Sequence, residues 1–156
     1  MTDKELISYF NADLFIPSLE ARNKIDAIDE MVEHLVKTRR LKDGRIVREL
    51  IKTREKLGST GIGKGVAVPH GRTTVTNALT LLVARSEAGI DYEALDRKPV
   101  HIFFLILAPH QDKSNQYLPL LGKLVEITRR APVRRKLLKA ADLGAFTAAL
   151  TEKKAQ

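Results

Sequence analysis

Apolar residues recur at helical spacing through the first third of the chain. Ile25, Ile28, Val32, Leu35 and Val36 predict a helix between Glu20 and Thr38. Ile46, Val47, Leu50, Ile51 and Leu57 predict a second, from Ile46 to Lys56, after the turn pair Asp43-Gly44. Ahead of both, Thr2 and Glu5 have the spacing of a capping box opening a short helix to about Tyr9. Leu14-Phe-Ile16 reads as a short strand stopped by Pro17.

The middle of the chain changes period. Val66-Ala-Val-Pro69 and Ala78 to Ala84 are short apolar runs that predict strands. Gly89 to Tyr92 and the turn Asp96-Arg-Lys-Pro99 predict a hairpin-like excursion. Val100 to Leu107 is apolar on both faces, which predicts a central strand covered on each side by helices. The last third returns to helical spacing. Leu118, Leu121, Leu124, Val125 and Thr128 form one stripe, with Ser114 or Asn115 as its cap. Pro132 suits the first turn of a helix from Val133 to Lys139, and Asp142 caps a last helix from Leu143 to about Glu152. Lys153 to Gln156 should fray. These elements predict one α/β domain over residues 1–156, a sheet of about five strands with helices on both sides.

Composition narrows the class. No run reaches the ~20 residues of a membrane span, and the N-terminus has no signal-peptide apolar core, so a cytoplasmic chain is expected. The absence of cysteine excludes a disulfide scaffold. The net charge of +8 raises nucleic-acid binding, but the basic residues form no single tract and no aromatic surface interleaves them. Solvated helix faces are the reading preferred here, with an acidic protein partner second.

The chemistry concentrates between Arg54 and Arg72. Gly58, Gly61, Gly63 and Gly65 would let backbone N–H groups converge on an anion, and Ser59 and Thr60 add hydroxyl donors. The run Val66 to Pro69 would deliver His70 into a turn at Gly71. A neutral histidine is a nucleophile near pH 7, so the pattern points to a histidine that carries an anion, a phosphoryl group above all. Gly58 to Lys64 also fits the spacing of a nucleotide-binding P-loop. Gly65 stands where that loop needs Ser or Thr, however, and a helix precedes the loop instead of a strand. Arg54 falls in the last turn of its helix, where it could grip a phosphate or only complement the helix dipole. His34 reads as a helix-edge histidine, His101 as a packed strand-end one, and His110 lies in a loop after Pro109. No metal-ligand spacing adjoins His70, and no nucleophile-elbow motif occurs.

The stretch Arg54-Glu-Lys-Leu-Gly-Ser-Thr-Gly-Ile-Gly-Lys-Gly-Val-Ala-Val-Pro-His-Gly71 resembles the active-site signature of the IIA domains of the bacterial sugar phosphotransferase system, of the fructose, mannitol and nitrogen-regulatory type. The likeness extends to the helix from Lys24 to Val36, the segment from Gly89 to Val100 and the strand before Ala108-Pro109. The nitrogen-regulatory members are the most similar. The resemblance implies a mixed five-stranded sheet, as in mannitol-specific IIA domains, and no cofactor. It implies that His70 accepts a phosphoryl group from an HPr-like phosphocarrier, itself charged from phosphoenolpyruvate through enzyme I. Arg54 would match the family arginine near the phosphohistidine, and Ser59, Thr60, Gly61 and Gly63 its supporting loop. The implied role is a phosphoryl carrier acting on regulated target proteins or a sugar-specific IIB partner, not a free-standing enzyme. The family's second histidine is missing. Tyr117 or Gln116 stands in that stretch, and His110 lies seven residues before Tyr117. A neutral donor, a replacement by His110, and an interaction module with a vestigial site are the three readings this leaves open.

Overall fold

A computed structural model describes residues 1–153. The expectation of fraying for Lys154 to Gln156 lies outside them.

Helix α1 (Asp3–Ser8) opens with the expected capping box of Thr2 and Glu5. A 3-10 turn (Ala12–Leu14) takes up Leu14, so strand β1 is only Phe15–Ile16. Helix α2 (Lys24–Lys37) starts four residues later than its apolar spacing suggests. Asn23 caps it through Asp26 N–H, while the N–H groups of Glu20 and Ala21 donate to the Glu30 carboxylate in a non-helical approach. Ile25 therefore faces solvent at 52% exposure, and Ala27 and Met31 join Ile28, Val32 and Leu35 in the core. Helix α3 (Arg45–Lys56) buries Val47 and Ile51, but Ile46 and Leu57 point outward.

The sheet is mixed and has six strands. They are β1, β2 (Gly61–Gly63), β3 (Val66–Ala67), β4 (His70–Thr73), β5 (Thr80–Ile90) and β6 (Val100–Pro109). Strand β6 is the centre. It pairs antiparallel with β5 on one side and parallel with both β3 and β4 on the other, while β1 and β2 lie at the edges. The hairpin β5–β6 carries the expected excursion, and β5 runs on to Ile90 because β6 offers it partners as far as Val100. Every residue from Ile102 to Ala108 is buried, as expected of a strand covered on both faces.

Alternation divides the core. Ala67, Leu82, Ala84, Phe103, Leu105 and Leu107 pack against α2 and α3. Val66, Val68, Leu81, Val83, Ile102, Phe104, Ile106 and Ala108 pack against α4 (Tyr117–Ile127), α5 (Ala131–Lys139) and α6 (Leu143–Leu150). Pro132 and Asp142 open α5 and α6 as predicted, and α6 ends at Leu150. In α4 the buried stripe is Tyr117, Leu120 and Leu124, and Leu118 is 64% exposed. The stripe is rotated to the face that Tyr117, Leu120 and Leu124 pack into the core. Neither Ser114 nor Asn115 caps it; the cap position is Gln116, and the Asp112 carboxylate accepts from Tyr117 N–H at 3.2 Å.

Two glycines respond oppositely to a methyl group. A Cβ on Gly61 would lie 2.8 Å from the Ala94 Cα, whereas one on Gly122, in α4, meets nothing within 4 Å. Gly61→Ala should cost about 1–3 kcal/mol, because backbone must move. Gly122→Ala should gain about 0.5–1 kcal/mol from helix propensity. Urea unfolding of both variants checks the opposite signs.

Candidate functional site

The glycine-rich stretch folds as a β-hairpin. Strands β2 and β3 pair antiparallel, with Gly63 opposite Val66. Lys64 and Gly65 between them both have positive φ, 59° and 81°, as a two-residue type I′ turn requires. Its donors are already committed. Thr60 N–H and hydroxyl donate to the Glu55 carboxylate, Gly61 N–H donates to the Ser59 hydroxyl, and Lys64 N–H donates to Asp96 at 2.8 Å. The Ser59 hydroxyl in turn donates to the Tyr92 carbonyl at 2.8 Å. This corrects the expectation that loop N–H groups and hydroxyls converge on an anion. The Ser59 and Thr60 hydroxyls and the Thr60 and Gly61 N–H groups hold the hairpin in place.

Beneath the hairpin lies a buried charge. Glu55, 6% exposed, accepts the two Thr60 bonds and pairs with Lys24 at 3.2 Å. The Lys24 ammonium also sits over the Tyr92 ring, 4.7 Å from its centroid. Burial, reinforced by the Glu55 charge, pushes the Tyr92 phenol far above its ordinary range. The network locks α2, α3 and the hairpin together one residue beyond Arg54.

His70 does not enter a turn. It opens β4, and the chain continues as strand to Thr73 beside β6. The expected strand at Val66 to Pro69 is the first half of this longer path. Val66 lies opposite Ile102 and His70 opposite Ile106, so register is kept across the gap at Val68 and Pro69. Pro69 has no N–H to give, and the Val68 carbonyl is diverted to the His70 ring. Gly71 lies so close to α3 that a Cβ there would stand 2.9 Å from Leu50 Cδ2.

The Val68 bond fixes the imidazole. His70 Nδ1 is 2.7 Å from the Val68 carbonyl oxygen, which can only accept, so Nδ1 carries the proton. In the neutral ring the lone pair is therefore on Nε2. The ring is half-buried and lies on the α4 side of the sheet, 6.2 Å from the Tyr117 ring centroid.

Tyr117, 6% exposed, stands against His70 in the stretch where the sequence offered Tyr117, Gln116 or His110. Burial raises its phenol, and the charges of Arg72 and Arg54 pull it partly back. It therefore keeps its proton near neutral pH and can donate but not act as a base. His110 is exposed and lines, with Arg72, Asp112, Lys113, Tyr117 and Leu118, an open groove of about 530 Å³. Arg54, at the end of α3, donates to the Gly58 carbonyl at 2.9 Å.

Sequence reasoning missed Arg72. It follows His70 by two residues on one strand, so both side chains face α4. Its guanidinium carbon lies 4.8 Å from the Tyr117 ring centroid. The strand period would have found it had the strand been extended past Gly71. Among the described residues, no group of three or more His, Cys, Asp or Glu side chains could hold a metal ion. No described helix is long and apolar enough to cross a membrane.

Comparison with known proteins gives a consistent picture. Residues 8–153 match the family model described as "Phosphoenolpyruvate-dependent sugar phosphotransferase system, EIIA 2". The chain is 38% identical over 123 residues to the fructose-specific EIIABC component of Bacillus subtilis, covering 79% of this chain but only 19% of that much longer protein. It is 31% identical to the nitrogen regulatory protein of Bradyrhizobium diazoefficiens, across 88% of this chain and 89% of that one. The crystal structure of nitrogen regulatory protein IIA-Ntr from Neisseria meningitidis superposes with a TM-score of 0.85 at 28% identity, covering 94% of this chain and 99% of that one.

Asp112 places Tyr117, because its carboxylate holds both Tyr117 N–H and the Ser114 hydroxyl. Those bonds, the Ser114 hydroxyl first, keep the Asp112 carboxyl below its ordinary 3.8. A depressed carboxyl stabilises the fold above that value and loses the contribution as pH falls. Asp112→Ala should cost about 0.5–1 kcal/mol at pH 7, the low end for a partly exposed cap. The two proteins should converge in stability as the medium is acidified below 3.8. Chemical denaturation across pH measures both effects.

Proposed function

The chain belongs to the EIIA type 2 family of the phosphoenolpyruvate-dependent sugar phosphotransferase system, and we propose that it is a regulatory phosphoryl acceptor, charged on His70 by an HPr-like phosphocarrier. The observation that carries this reading is the bond from His70 Nδ1 to the Val68 carbonyl. It presents Nε2 as a fixed, neutral nucleophile. Nε2 forms the new N–P bond while the bond from phosphorus to the donor breaks, and the donor keeps that electron pair. The imidazole then carries positive charge, which the carbonyl of Val68 stabilises through Nδ1–H.

The phosphoryl group brings close to two negative charges. Arg54 and Arg72 are the cations beside this histidine, both close enough to act on Tyr117. Two charges at 4 Å and an effective dielectric near 20 are worth about 4 kcal/mol before desolvation. Burden falls on these side chains, because the hairpin donors are occupied. The nearly end-to-end likeness to a nitrogen regulatory protein supports a regulatory role, exerted through phosphorylation-dependent contacts with target proteins. A second reading, a sugar-transport IIA component passing the group to a IIB partner, is favoured by the identity to a fructose-specific component.

Incubation with phosphoenolpyruvate, enzyme I and HPr should add about 80 Da, one phosphoryl group, in an acid-labile form. His70→Ala should abolish the gain and keep the fold, since truncation at a half-buried strand end leaves no large cavity. No mass gain in the wild type with cognate partners would sink the proposal and leave an interaction module with a vestigial site. Arg54→Lys should shift the phosphoryl-exchange equilibrium toward the carrier by roughly 1 kcal/mol, because lysine cannot reproduce a planar fork. An unchanged equilibrium would reduce Arg54 to the helix-end contact with Gly58.

A further inference from the structure

We infer that Arg72 is the principal phosphoryl-gripping cation of this site, with Arg54 assisting from the end of α3, and that the Tyr117 ring positions it, a specialisation that stands where a second histidine is missing. The inference rests on the proposed acceptor role of His70 and goes beyond it by assigning two residues.

His70 and Arg72 are separated by one residue in β4, whose register on β6 is fixed by four consecutive pairs from His70 to Thr73. Their side chains therefore leave the same face, toward α4. Tyr117, at the first position of α4, packs against both. Its ring centroid is 6.2 Å from that of His70 and 4.8 Å from the Arg72 guanidinium carbon. A cation over an aromatic face keeps its in-plane N–H donors free. Among the described residues, the Arg72 side chain makes no hydrogen bond and no ion pair, whereas Arg54 has already given one N–H to Gly58. The uncommitted fork is therefore the Arg72 one.

The surrounding groups fit an anion. Arg54, His110 and Lys113 add positive or protonatable groups, Tyr117 supplies a neutral hydroxyl, and Asp112 turns its carboxylate to Ser114 and the start of α4. A histidine in the Tyr117 position would add a charge that varies near neutral pH. An arginine held on a tyrosine ring supplies a constant one.

The test attaches the phosphoryl group to His70 with phosphoramidate, a small-molecule donor that needs no partner protein. Phosphorus NMR then follows the second ionisation of that group, which lies near pH 6 for side-chain phosphates. A neighbouring cation lowers this midpoint. Arg72→Ala should raise it by about one pH unit, with Arg72→Lys in between. Tyr117→Phe should keep more than half of the wild-type depression, because the ring remains. Tyr117→Leu should lose most of it, and adding Arg72→Ala to Tyr117→Leu should change little further, as expected of two residues acting as one unit. A midpoint unmoved by Arg72→Ala in the folded variant overturns the grip. A midpoint unmoved by Tyr117→Leu overturns the positioning role, and failure to form any His70 adduct overturns both. Transfer from HPr is measured separately. Its absence beside a normal Arg72 effect refutes the acceptor function alone, and its presence beside a null Arg72 effect refutes this inference alone.

Discussion

The parallel register of residues 66–73 on β6 is the constraint on which the site depends. One strand path, interrupted but never shifted, runs from the core to His70. Val66 and Val68 anchor the same face that His70 and Arg72 use, so the apolar contacts that bury the first pair also aim the second. A slip of one residue would turn His70 and Arg72 toward α3. The interruption itself serves the chemistry. Pro69 removes one ladder donor, and beside it the Val68 carbonyl accepts from the imidazole Nδ1–H.

A second constraint holds the hairpin and α3 against this strand. Glu55 is a carboxylate inside the protein, which is tolerable only because Lys24 and two Thr60 donors surround it. The ion pair is weak grounds for stability, since desolvation offsets most of its attraction. Its geometric effect is plainer. It fixes the end of α3, where Arg54 emerges, relative to the hairpin that leads into β3. The absence of a Cβ at Gly71 lets α3 close on β4 from the other face. Arg54 therefore approaches from the α3 end, and Arg72 from the strand. Tyr117 meets His70 and Arg72 from α4, with Asp112 setting where that helix begins.

Much of this was written in local sequence. The capping box at Thr2, the proline at the start of α5, the aspartate cap at Asp142 and the doubly buried strand from Val100 each follow from nearest-neighbour chemistry. The motif around His70 also disclosed the family, because its spacing of glycines, proline and histidine is long and specific. What local pattern misjudged was where helices begin. Ile25 and Leu118 fit an apolar period but face solvent, since Asn23 and the Asp112 loop start their helices at other residues.

The sequence by itself determined the α/β class and the central strand and singled out His70 as the candidate, because these rest on period, composition and motif over a few neighbouring residues. Only the tertiary structure decided which atoms are free to act. The glycine-rich stretch offers donors by its spacing, but Glu55, Asp96 and Tyr92, distant in sequence or hidden in a helix, occupy or surround them. Tyr117 meets His70 and Arg72 through packing between segments more than forty residues apart in the chain. Hydrogen-bond capacity is finite, and which partner claims each donor is settled by the folded neighbourhood and not by spacing along the chain.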